Sequence, residues 1–188
     1  MKIILASSNE HKVKEINAIT SGVGIEFILP PDGFDPIENG LTFEENSLIK
    51  ARAAWELGKS WTLADDSGLC IDALNGAPGI HSARYADTPQ KRINRVLQEM
   101  NGITERTARF KCCMTLLNPL GKIAFSYTGV CDGSIIEEQR GINGFGYDPI
   151  FLVEGFSKTM AELSEDEKNK ISHRGRALRA VLNYVKNV

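Results

Sequence analysis

The chain has 188 residues, enough for one sizeable domain and scarcely enough for two independent cores. With 42% hydrophobic and 24% charged residues it reads as an ordinary globular protein, a composition that argues against disorder as its main state. A formal net charge of −2 argues against a broad grip on nucleic acid, which needs clustered Lys and Arg, but leaves room for a small polyanion in a local basic cleft.

The opening "MKIILASSNEHK" has one early Lys and a short apolar run that turns polar at Ser7, so it reads as a first strand (2–7) rather than a signal peptide. No stretch approaches the ~18–20 apolar residues of a membrane span, and the expectation is a cytoplasmic protein with no membrane partner. Asn9 opens a helix, "EHKVKEINAIT", with Val13, Ile16 and Ile19 on one face. "IEFIL" (25–29) is strand-like, and "PPDGFDPIENG" (30–40) is a loop of unusual length, a kind often functional. Thr42 caps a helix running to Gly58, with Glu45 completing a capping box.

"WTLAD" and "GLCIDAL" read as two strands flanking a pair of adjacent carboxylates, Asp65 and Asp66. After the Gly/Pro loop "NGAPGIHSARYA", Thr88-Pro89 starts a helix that ends near Gly102. "RTARFKCCMTLLN" and "KIAFSYTGVCDG", joined by "PLG", read as a long antiparallel hairpin. "INGFGYDPIF" is a Gly-rich loop entering a short strand, and Ser164 with Glu167 offers a second capping box. The last helix buries Ala177, Leu178, Val181, Leu182 and Val185, with an interruption at Ser172-His173-Arg174-Gly175. Helices and strands alternate early and a hairpin dominates late, which predicts an α/β protein with a mixed sheet, the whole of 1–188 forming one domain. Cys70, Cys112, Cys113 and Cys131 have no CxxC or His spacing, so structural or free thiols are expected rather than zinc.

Five stretches could carry chemistry. In "ASSNEHK" a strand gives way to a helix whose first N–H groups and dipole suit an anion, with Lys12 one turn in; the plain alternative is an ordinary cap beside a solvated lysine. The "ADDSG" pair is either a tight turn or a metal ligand plus a base, with Glu38, Glu44 and Glu45 as further acidic candidates; hard oxygen ligands suit Mg²⁺. In "GFGYDP", Phe145 and Tyr147 are both able to stack on a flat ligand, and one of the two rings is expected to fill core instead. "EKNKISHRG" sets Lys168, Lys170, His173 and Arg174 within two turns, and "HSAR" adds His81 and Arg84, where a surface role is the default. Phosphate, metal and planar base together describe a nucleotide.

On the motifs "SSNEHKVKEI", "GLTFEENSLIKARAA", "ADDSGLCIDALNGAPGIHSARYA", "GFGYDPIF" and "AELSEDEKNKISHRGRAL", the chain resembles the inosine triphosphate pyrophosphatase family over essentially its whole length. That family hydrolyses non-canonical purine nucleoside triphosphates. The resemblance implies an elongated mixed sheet with flanking helices and two lobes around an active-site cleft, a homodimer, and Mg²⁺-dependent conversion of ITP, dITP or XTP to the monophosphate and pyrophosphate. It implies that Ser7, Ser8, Asn9, Glu10, His11 and Lys12 hold the triphosphate, and that Lys50 faces a phosphate. It implies that Asp66 is proton acceptor and metal ligand and that Ser67 touches substrate. Phe145, Gly146, Tyr147 and Asp148 form the base loop, and Lys168, His173 and Arg174 contact the purine. Ser8 stands where glycine is common, and Ile37 stands where the family often has a second metal-binding Glu; Glu38 is taken as the replacement, with Glu45 as the alternative.

Two readings from other classes are weaker. A regulatory nucleotide-binding module would not need Asp66. A metal-dependent phosphomonoesterase would carry a DxD nucleophile motif, and the chain has Asp-Asp-Ser instead.

Overall fold

Residues 1–187 are described in a computed structural model of the chain. Three parallel strands begin the fold. Lys2–Leu5 (β1) is flanked by Glu26–Ile28 (β2), with Ile3 beside Phe27, and by Thr62–Ile71 (β3), with Leu5 beside Leu63. Thr107–Leu117 (β4), Ile123–Ile135 (β5) and Phe151–Val153 (β6) extend the sheet in the order β2-β1-β3-β4-β5-β6, with β6 antiparallel to β5. Parallel and antiparallel pairs in one sheet, with helices beside it, bear out the expected mixed α/β class. The helices are Glu10–Thr20 (α1), Phe43–Gly58 (α2), Pro89–Glu99 (α3), Glu165–Ile171 (α4) and His173–Val185 (α5).

The chain forms two compact units, one from Met1–Asp66, Cys112–Gly129 and the residues from Gly175, the other from Ser67–Lys111 and Val130–Arg174. In the first unit the period-two alternation of strands sorts side chains to two faces. Ile3, Leu5, Leu63, Cys112, Met114 and Leu116 pack with Ile16 of α1 and with Ala177, Leu178 and Val181 of α5. Their chain neighbours Ile4, Ala6, Ala64 and Leu117 pack with Ala51 and Ala54 of α2 on the opposite face. The second unit has its own core, in which Leu69 and Ile71 of β3 meet Ile93 and Val96 of α3 and Phe110, Tyr147, Phe151 and Met160.

Several boundaries differ from expectation. The two strands placed around the carboxylate pair are one ten-residue strand, β3, so Asp65 and Asp66 lie mid-strand rather than in a turn. Gly68 misleads here: glycine reads as a breaker, but in β3 it is simply buried strand. Thr42 caps α2 by accepting from the Glu45 N–H at 3.1 Å, yet the Glu45 carboxylate reaches Leu41 N at 2.6 Å instead of closing the box on Thr42. The Ser164–Glu167 box does close, and Thr159 with Glu162 forms a second that was not anticipated. The helix break falls at extended Ser172, which leaves His173 and Arg174 in the first turn of α5. His81 and Arg84 sit in a 3₁₀ segment, Gly79–Arg84, not in an open loop. All four cysteines are free thiols.

Gly133 in β5 permits the pairing with β6. A Cβ there would stand 2.3 Å from the Leu152 carbonyl oxygen and 2.6 Å from the Phe151 ring, and backbone has nowhere to go. Gly133→Ala is therefore expected to lower unfolding stability by about 1–3 kcal/mol, measured by urea denaturation. An unchanged midpoint and slope would show that β6 yields at no cost.

Candidate active site

In the first unit the site is built on β3. Leu63 and Ala64 face opposite sides of the sheet, so Asp65 follows Leu63 toward α1, and Asp66 follows Ala64 toward α2. Each helix supplies one lysine. Lys12 of α1 places its Nζ 3.0 Å from Asp65 Oδ2, and Lys50 of α2 places its Nζ 2.7 Å from Asp66 Oδ1. The adjacent carboxylates thus meet separate cations on separate faces. Cys112 of β4 adds a weak thiol donor to Asp65 Oδ2 at 3.7 Å.

The long loop also reaches this place. Glu38 Oε2 lies 3.0 Å from the same Lys50 ammonium, so Glu38 and Asp66 converge on one point. Two residues of α2 pin the loop there: Asn46 Oδ1 accepts from Gly40 N at 2.8 Å, and Glu45 Oε2 accepts from Leu41 N. A Cβ on Gly40 would meet Asn46 Oδ1 at 2.7 Å, so this approach needs glycine. Glu45 is therefore engaged in its cap, and Glu44 accepts from Thr128 Oγ1 at 2.7 Å. Ile37 is 81% exposed and coordinates nothing.

The electrostatics follow from that crowding. Burial opposes the charge on Lys50, but Asp65, Asp66 and Glu38 outweigh it and hold its pKa above the ordinary lysine value. Burial pushes the Asp66 carboxyl above the usual range; Lys50 and Lys12 pull it back, and Glu38 pushes it further up. Asp66 Oδ2 is buried with no hydrogen-bond partner. A buried carboxylate oxygen without a donor is costly to the fold and suited to a cation or a polarised water.

At the start of α1, Asn9 is the N-cap, its Oδ1 accepting from His11 N at 3.1 Å and Lys12 N at 3.3 Å. Ser7 Oγ in turn accepts from Asn9 N at 3.2 Å. The anticipated anion-binding N–H groups of His11 and Lys12 are thus engaged by the cap. Ser8, Asn9, Glu10 and His11 are exposed, whereas Ser7 is buried.

In the second unit the base-loop residues gather around Asp148. Its Oδ2 accepts from Phe145 N at 2.8 Å and from Lys168 Nζ at 2.7 Å, and the residue is 3% exposed. Gly144 has φ +71°, and a Cβ on it would fall 2.1 Å from that same oxygen, so only glycine lets the loop close on Asp148. The Phe145 ring lies under two cations, 4.8 Å from Lys168 Nζ and 5.7 Å from the Arg174 guanidinium carbon. Arg174 also donates to Ser67 Oγ at 2.9 Å. His173 stacks on Phe110 with centroids 4.9 Å apart. Of the two rings, Tyr147 is the core one: it is 5% exposed and donates to the Ser82 carbonyl at 2.9 Å. Gly146, at φ +62°, turns the chain between them. Sequence reading singled out Asp65 with Asp66 but missed its pairing with Lys12, and it missed Asn46 and Gly144. Only Asp65 left a signal, being adjacent to Asp66 on a strand and therefore on the other face.

Comparisons with known proteins give the family and the fold. The Ham1 family pattern matches residues 3–184. A dITP/XTP pyrophosphatase of Treponema denticola is 49% identical over 99% of this chain and 99% of its own, and one of Bacillus anthracis is 47% identical over 95% and 93%. Among solved structures, a HAM1 protein from Coxiella burnetii superposes with a TM-score of 0.91 at 42% identity, covering 100% of both chains. The α/β architecture is that of the Coxiella burnetii HAM1 protein, and the chain belongs to the Ham1 family. The resemblance expected from its motifs is thereby borne out.

Because Asp148 fastens the Phe145 amide, Asp148→Ala is expected to speed hydrogen exchange at Phe145 N–H while amides of β5 keep their protection. Unchanged exchange at Phe145 would mean that the loop is held by other contacts.

Proposed function

We propose that the chain is a nucleoside-triphosphate pyrophosphatase, acting over its whole length as one domain and as a homodimer. It hydrolyses ITP, dITP and XTP to the monophosphate and pyrophosphate with Mg²⁺ and so cleanses the nucleotide pool. The names of the curated relatives support the substrate class. Cytoplasmic location fits the finding that, among the described residues, no helix is long and apolar enough to cross a membrane. Neither nucleic acid nor membrane is a partner in this reading.

The observation that carries the reaction is the buried Asp66 carboxylate, with one oxygen on Lys50 and the other without a partner. That oxygen and Glu38 fit a divalent ion, which commonly takes one or two carboxylates and completes its shell with water and phosphate oxygens. When bound, such an ion supplies charge neutralisation on the triphosphate. Asp66, with its carboxyl pushed upward by burial, accepts the proton of the attacking water. Lys12 and Lys50 meet the charge that develops on the departing pyrophosphate, while Ser7, Ser8, Asn9, Glu10 and His11 shape the turn beside it. Phe145 stacks on the purine; Arg174 donates toward its 6-oxo group; Lys168 and His173 complete the edge. Gly146, Tyr147, Asp148 and Ser67 hold those groups in place.

The direct test is product analysis with ITP and Mg²⁺, which should give IMP and pyrophosphate and no orthophosphate. Asp66→Asn should lower turnover by about 10²–10⁴-fold with the thermal midpoint preserved. Activity above roughly a tenth of wild type would remove Asp66 from its role. Orthophosphate as the product would replace the reading with phosphatase chemistry at the terminal phosphate.

Arg174 has donors only, so it favours the oxygen of inosine and xanthosine over the amine of adenine. Arg174→Ala should lose far more kcat/KM on ITP than on ATP, a mismatch of one buried group being worth roughly ten- to a hundredfold. Equal losses on both would assign Arg174 to the phosphates or the fold.

A further inference from the structure

We infer that Asp65, which has no part in the reaction proposed above, is a positioning residue that sets the Lys12 ammonium for the triphosphate. The inference rests on the function proposed above. Asp65 is 1% exposed, on the α1 and α5 face of β3, where its neighbours Leu63, Cys112 and Met114 are fully buried. An anion in that setting is costly unless it is paired, and Asp65 is ion-paired with Lys12 at 3.0 Å. Such a pair is a poor way to stabilise a fold, since buried ion pairs are often matched or bettered by apolar residues. The pair makes more sense as a device for placing charge.

Lys12 is the third residue after the α1 N-cap, Asn9, and its side chain is 13% exposed, so its ammonium lies at the edge of the buried region. An ammonium has three donors; one taken by Asp65 leaves the rest for phosphate oxygens. A lysine on a flexible stem loses much rotamer freedom on binding, and a carboxylate that fixes it beforehand removes that loss. Asp65 thereby trades some positive field for a fixed position. Asp66, pointing to the other face, does the same to Lys50 while keeping an oxygen for chemistry. The Cys112 thiol, at 3.7 Å on the same Asp65 oxygen, helps fix the carboxylate.

Two measurements test this. Asp65→Asn keeps the shape and removes the charge; it should raise KM for ITP about tenfold while kcat changes much less, the signature of a lost uniform phosphate contact. It should also weaken binding of inorganic tripolyphosphate, read by calorimetry without turnover. Asp65→Glu should recover part of that affinity. The decisive pair is Lys12→Met against Lys12→Met/Asp65→Asn: without its lysine Asp65 has nothing to position, so the two should bind tripolyphosphate alike. That comparison also serves if Asp65→Asn alone fails to fold, because the double variant leaves no unpaired lysine. An Asp65→Asn protein with wild-type KM, or a double variant that loses a further tenfold beyond Lys12→Met, overturns the inference. Wild-type protein that binds tripolyphosphate through Lys12 and Asp65 but leaves ITP intact overturns the proposed activity alone.

Discussion

A β-strand turns successive side chains to opposite faces, and in β3 that rule is what allows two adjacent aspartates to be buried. In a turn, Asp65 and Asp66 would share one patch of solvent and repel. In mid-strand they are separated by the sheet itself, one facing α1 and the other α2. Each then needs its own cation, so each flanking helix must bring a lysine to a fixed height along the strand. The register of β1 against β3, Leu5 beside Leu63, sets the level at which α1 begins and hence where Lys12 falls. The packing of Ala51 and Ala54 against Ile4 and Ala64 lets α2 lie close enough for Lys50 to reach Asp66. Small residues at that contact are therefore part of the electrostatics, not only of the core.

The same helix disciplines the loop before it. Residues 30–40 have little regular structure, yet they end in two hydrogen bonds to α2, Gly40 N to Asn46 and Leu41 N to Glu45. Anchoring at that end fixes Glu38 beside Lys50. Glu45 is thereby used up in backbone work, which is why its neighbour in the loop, and not the helix residue, comes to stand with Asp66. A loop that holds a carboxylate at one place needs such a tether, because free backbone would spread it over many positions.

Most of the architecture was legible in the sequence because it depends on periodicity and caps. Asn9, Thr42 and Ser164 marked helix starts correctly, and the apolar spacing of Ala177 to Val181 gave the buried side of α5. What escaped was whatever depends on partners distant in sequence. Gly68 looked like a break between two strands, since nothing local says that Leu69 will be buried under α3 residues more than twenty positions later. That single misreading hid the facing rule and with it the pairing of Asp65. The split between Phe145 and Tyr147 was open for the same reason: two aromatics in one loop are equivalent until a carbonyl 65 residues away, that of Ser82, claims the hydroxyl. Gly144 gave no sign of its role because its constraint comes from Asp148 folding back on it.

One solution recurs three times. Lys12 with Asp65, Lys50 with Asp66, and Lys168 with Asp148 are each a mostly buried ammonium held within 3.0 Å by a carboxylate. In each case the lysine and its partner come from different elements, so the pair exists only in the folded chain. Three lone lysines at these sites would be hard to keep charged, because burial disfavours the ammonium. Three lysines left in water would be charged but mobile. Pairing gives a charged group at a known place, and it costs part of the field that a free cation would exert. For an enzyme acting on a triphosphate that cost is tolerable: the ligand brings several negative charges of its own, and what it requires from the protein is donors already in position when it arrives. The near-neutral net charge of the chain is consistent with that economy, since each of these three lysines carries its own counter-charge.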